Sequence, residues 1–139
     1  MKLNTLKYIT EFILYIFLQI VLIRHFTLFG YAFAFVYPVV LIKLPETTPR
    51  ILLQLIAFIT GFTIDIFSNT PGLHTASCVM MVFLRPIFLS ALTPHGGYDS
   101  NMSATINFMG IKWFLGFLSL NIFLHHFVLF ILETFSFTN

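Results

Sequence analysis

Ionisable side chains are scarce in this chain, and their positions define the chemistry open to it. Glu11, Asp65, Arg85 and Glu133 each fall within or at the edge of a long apolar run. A charge at the centre of a bilayer costs about 3 kcal/mol or more, so each of them needs a partner, water or a role in recognising or moving charge. Two uses compete. One is structural, as ties between helices worth about 0.6–2 kcal/mol each or as side chains snorkelling to headgroups. The other is a transport or recognition site.

Histidine and cysteine add little metal chemistry. His125 and His126 are adjacent, so on a helix they point about 100° apart and do not converge on one ion. His25 and His95 fall in connecting segments without a second ligand at metal spacing. Cys78 lies in an apolar run and reads as a small core residue, because a low-dielectric site suppresses the thiolate. The chain carries no GxSxG, HExxH, SxxK or glycine-rich phosphate loop. The expectation is a protein that is not an enzyme and uses no cofactor or metal.

The elements that must position these residues follow from composition. The chain has 139 residues, of which 58% are hydrophobic, 18% aromatic and 9% charged, against about a quarter charged in a soluble domain. Its 19 Phe residues alone would leave large exposed apolar patches on a water-soluble fold of this size. The sequence therefore reads as an integral membrane protein. The net charge of +2, from scattered Lys and Arg, excludes a nucleic-acid partner, which needs clustered cations.

Apolar stretches of the length that crosses a hydrocarbon core of about 30 Å predict an all-α bundle of five transmembrane spans. They cover 8–23, 26–42, 51–67, 73–92 and 113–132, within a single transmembrane domain. The connections are short, so successive helices should be antiparallel. Gly30 and Pro38 interrupt the second stretch, which is expected to be short or kinked. Residues 68–72 make a tight turn, and 93–102, with Pro94, Gly96 and Gly97, form the longest loop. No small-residue cleavage site follows Ile23, so the first stretch reads as a retained helix.

Orientation follows the placement of basic residues. With the N-terminus inside, Lys2, Lys7, Lys43, Arg50 and Lys112 are cytoplasmic and only Arg24 is outside. In a straight antiparallel hairpin Asp65 sits near the outer end of its helix, whereas Arg85 lies about 18 Å deep at 1.5 Å per residue. The two belong to different layers. The expectation is an inner pair of Arg85 with Glu11, with Gln54 at comparable depth, and an outer cluster of Asp65 with His74, Arg24 and Glu133 nearby.

The third and fourth stretches carry the most specific pattern. Gly61, four residues before Asp65 on the same face, permits close helix approach; Pro71-Gly72 reverses the chain; Pro86 bends the fourth helix beside Arg85. The run Gly61-Phe62-Thr63-Ile64-Asp65-Ile66-Phe67-Ser68-Asn69-Thr70-Pro71-Gly72-Leu73-His74, followed by Phe83-Leu84-Arg85-Pro86, resembles the rod shape-determining MreD family in its Bacteroidetes-type form. Leu28-Phe29-Gly30-Tyr31 and Thr48-Pro49-Arg50 are similar to that form too, and the resemblance extends over roughly residues 11 to 135.

The resemblance implies a non-enzymatic scaffold in the bacterial inner membrane. Its partners would be an MreC-like bitopic protein and, within the elongation machinery, the MreB filament, the glycosyltransferase RodA and a class B transpeptidase, all surrounded by membrane lipid. It also implies a likeness to the six-helix S components of energy-coupling-factor transporters, against which five spans are one helix short; the chain is then either a shortened version or uses its fifth apolar block differently. The alternative function is accordingly a small-molecule or lipid-precursor binding module, with a cavity lined by Asp65, His74 and aromatics.

Overall fold

A computed structural model describes residues 2–25, 36–98 and 106–136, and among them every regular element is a helix. In chain order these are α1 (Lys2–His25), α2 (Pro38–Ile42), α3 (Arg50–Ser68), α4 (Leu73–Ala91), α5 (Ile106–Met109) and α6 (Ile111–Ser136). Three of the described helices, α3, α4 and α6, are long and apolar enough to cross a membrane. They carry the predicted stretches 51–67, 73–92 and 113–132. The stretch 8–23 lies within α1, and most of 26–42 lies outside the described residues.

The reversal between α3 and α4 turns on two residues at positive φ. Asn69 ends α3 in the left-handed region at φ 55°, with its amide and that of Thr70 returning to the carbonyl of Asp65. Asn is one of the few side chains that tolerate this conformation, and the double return satisfies a carbonyl that the helix end leaves open. Gly72 then starts α4 at φ 84°, a value that glycine alone adopts without strain. A glycine at this position has no side chain with which to cap the helix. The first amides of α4 must find an acceptor elsewhere.

α4 is the middle helix, packed against α3 on one side and α6 on the other. It runs through Pro86 without ending. α2 is short and buried, with Pro38, Val40, Leu41 and Ile42 all inside and contacts to α1, α3, α4 and α6. A helix apolar on every side belongs in an interior, and α2 plugs the centre of the bundle. Outward faces are apolar as well: Phe62, Phe83, Phe123 and Phe127 are all more than half exposed. A protein apolar inside and out gains little from water exclusion between its helices, so close packing and buried polar ties must hold it together.

Several such ties gather at the end of the bundle opposite the α3–α4 turn. The Trp113 indole at the start of α6 donates to the Leu92 carbonyl at the end of α4 at 2.8 Å, and the Tyr98 hydroxyl donates to the Leu89 carbonyl. The Tyr98 and Trp113 rings meet edge to face at 6.1 Å. Lys43, Arg50 and Lys112 belong to this end through the elements that carry them, making it the basic end of the molecule.

Candidate functional site

Three polar layers lie inside the bundle. The first is built on Asp65, near the end of α3 and 5% exposed. One carboxylate oxygen accepts from the Thr70 hydroxyl and the His74 amide, each at 2.9 Å. The other accepts from the Thr75 amide at 2.9 Å and from the Thr75 hydroxyl. Asp65 therefore caps α4 from the neighbouring helix, supplying what Gly72 lacks and placing a negative charge at a helix N-terminus. A carboxylate has about four acceptor sites. All are filled from the turn itself.

Gly61 sits one turn earlier on the same face. A Cβ there would fall 2.7 Å from the His74 carbonyl oxygen and closer still to the Thr75 backbone. Only glycine lets α3 approach α4 closely enough for Asp65 to reach its amides. Gly61, Asp65, Pro71, Gly72 and the His74 amide thus act as one hairpin.

The second layer joins residues far apart in sequence. The Tyr37 hydroxyl lies 2.8 Å from His74 Nδ1 and 2.6 Å from His125 Nε2, and all three residues are under 5% exposed. A phenol has one proton, so it donates to one imidazole and accepts N–H from the other. Gln19 of α1 holds this layer in place, its Oε1 accepting the amides of Val36 at 2.6 Å and Tyr37 at 3.3 Å. Cys78 is fully buried next to Tyr37. An imidazole–phenol–imidazole line ties α2, α4 and α6 together.

Sequence reasoning missed Tyr37, Gln19 and His125. The signal for His125 was present in α6, whose buried residues Phe117, Asn121, His125 and Leu129 recur every fourth position. Two polar groups on that stripe mark its inward face. His126, one position on, turns away and bonds the Ile122 carbonyl of its own helix at 2.8 Å.

The third layer is Arg85, 3% exposed in α4. Its Nη2 donates to the Leu44 carbonyl and, at 3.5 Å, to that of Ile42, while the guanidinium lies 5.8 Å from the centre of the Phe117 ring. The expected Arg85–Glu11 pair does not form. The carbonyls of Ile42, the last residue of α2, and of Leu44 just beyond it lie past the helix's own donors, and the guanidinium supplies them. Glu11 pairs instead with Lys43 at 2.9 Å and, within α1, with Lys7 at 4.0 Å. Lys43 is drawn down by partial burial, but the hydrogen bond and charge of Glu11 outweigh this and hold its ammonium above the ordinary lysine range.

The remaining expected members of the outer cluster are not drawn to Asp65. The Asp65 carboxylate is filled by Thr70, His74 and Thr75, and Glu133, half-buried in α6, makes no ion pair among the described residues. The side chain of Arg24 lies outside the described residues. Gln54 does not join Arg85; its Oε1 is buried and has no hydrogen-bond partner among the described residues. Asp65 and Arg85 do occupy separate layers, bonded respectively to residues 70–75 and to 42 and 44. Asp65 and His74 are both engaged by hydrogen bonds within the protein.

No protein-family model, curated protein or solved structure matches this chain.

Proposed function

We propose that the protein is a non-enzymatic, multi-pass scaffold of the bacterial inner membrane, serving the elongation machinery as its resemblance to the MreD family implies. The observation that carries this reading is the closed hairpin. Every acceptor site of Asp65 is engaged within residues 70–75, and Gly61 exists to bring α3 and α4 together. Signature residues that satisfy one another build a rigid surface. They leave no carboxylate for a substrate.

In this reading the chain spans the membrane five times with its N-terminus in the cytoplasm. It binds an MreC-like bitopic protein and, with it, the MreB filament, RodA and a class B transpeptidase, supporting rod shape and lateral peptidoglycan synthesis. A standard interface buries about 800 Å² per partner, more than its short loops offer. The contacts therefore run through outward apolar faces such as that of Phe58 and Phe62, whose rings stack at 5.9 Å on α3.

Co-expression with an MreC-like protein from the same source and co-purification in mild detergent tests the reading. A stable complex is expected, weakened by polar substitution of Phe62 and lost in Asp65→Ala. A chain that always migrates alone, with the partner in excess and the fold intact, would overturn it.

A further inference from the structure

We propose that a cavity at the basic end of the bundle holds the phosphate of an anionic lipid headgroup. The proposal stands apart from the scaffold reading and rests on different residues. The cavity encloses about 320 Å³ between the start of α3 and the last turns of α4. Glu46, Arg50 and Arg85 are the ionisable side chains on its wall.

Arg85 is the first reason. It is 97% buried, yet no carboxylate lies within ion-pair distance of it among the described residues. Nη2 is taken by the carbonyls of Leu44 and Ile42, while Nε has no hydrogen-bond partner among the described residues. Nε is itself buried, and the Arg85 side chain lines the cavity by its remaining edge; a buried cation with no carboxylate partner is a costly arrangement unless an anion completes it. Guanidinium is also the group best shaped to grip phosphate oxygens.

The start of α3 is the second reason. This 19-residue helix opens at Arg50 after Pro49, which provides no side-chain cap. The first amides of α3 and the positive end of its dipole therefore face the same region as the Arg50 side chain. Glu46 is the one carboxylate on the wall. It is exposed and acts on Arg85 from beyond ion-pair distance, one negative charge against two guanidiniums and a helix N-terminus at the cavity.

Depth selects a lipid over a free anion. Tyr98 lines the cavity and its ring meets Trp113, an aromatic pair of the kind that marks headgroup level. Basic pockets between membrane helices at that level are the usual seats of anionic headgroups.

Native mass spectrometry of the full-length protein in detergent tests the proposal with phosphatidylglycerol, phosphatidylcholine and inorganic phosphate as probes. Retention of one phosphatidylglycerol is expected, with affinity weakened about fivefold or more in Arg50→Gln and more in Arg85→Gln. Lys7→Gln, an exposed cation on α1 that is not on the cavity wall, should change nothing. Arg50 is exposed and its variant should fold even if that of Arg85 does not. Equal retention of the two lipids, or equal losses in Arg50→Gln and Lys7→Gln, would overturn the site. Inorganic phosphate displacing phosphatidylglycerol supports phosphate recognition there. Phosphate that binds while phosphatidylglycerol does not would overturn the lipid as its source.

Discussion

Asp65 and Thr75 lock the α3–α4 hairpin from opposite sides of the turn: a single carboxylate oxygen accepts both the amide and the hydroxyl of Thr75. An acidic residue in an apolar helix is costly in isolation. Here its charge meets the open N-terminal amides of the next helix, so two unfavourable groups cancel.

Replacing Asp65 by Ala leaves those amides and the two threonine hydroxyls without their acceptor at a part-buried turn. Loss of an N-cap costs about 1–2 kcal/mol, and each buried group left unsatisfied adds about 1–3. Thermal unfolding in detergent should show a large fall in midpoint for Asp65→Ala. Asp65→Asn, which keeps one acceptor oxygen, should fall less; equal midpoints for wild type and Ala would remove the cap from the account.

Gly61→Ala forces a methyl group into the His74 carbonyl, 2.7 Å away. The helices must separate, at the cost of overpacking, about 1–3 kcal/mol, together with the Asp65 bonds that depend on their approach. Gly116→Ala is the matched control, its new methyl meeting only Leu92 Cδ2 at 3.9 Å. It should be neutral or slightly stabilising, since Ala is the better helix former by about 1 kcal/mol.

Tyr37→Phe removes the hydroxyl that His74 and His125 share without changing the packing of the ring. A loss of about 1–3 kcal/mol is expected. A double-mutant cycle with His125→Leu should give a coupling energy of about 0.5 kcal/mol or more, because the two residues act through one bond. Strict additivity would show that the bond contributes nothing.

The Lys43–Glu11 pair carries a pH signature. A lysine held above its unfolded value stabilises the fold fully below about pH 10.4, and that contribution is lost as pH rises through the higher folded value. Wild type should therefore lose midpoint more steeply than Glu11→Gln on alkaline titration beyond that point. Parallel curves would show that the pair is screened by solvent, as exposed ion pairs often are.

The hairpin was the most legible part of the chain. Gly61, Asp65, Pro71 and Gly72 lie within a dozen residues, and each has a local reason to be where it is. Arg85 was legible only as a depth. Its expected partner Glu11 was chosen from charge and depth alone, whereas the observed partners are the carbonyls of Ile42 and Leu44. Backbone acceptors have no residue type and cannot be seen in a sequence. Tyr37 escaped for a related reason, since nothing local links it to His74 or to His125, 88 residues away.

Composition and apolar run length by themselves determined an all-helical protein with helices able to cross a membrane, because both depend on local transfer of side chains from water. The turn at 69–72 was equally local, set by the few residues that adopt positive φ. Tertiary structure alone decided which polar groups meet. Hydrogen bonds act over about 3 Å, so their partners are chosen by how helices cross, and that crossing depends on the packing of α2, α4 and α6 together.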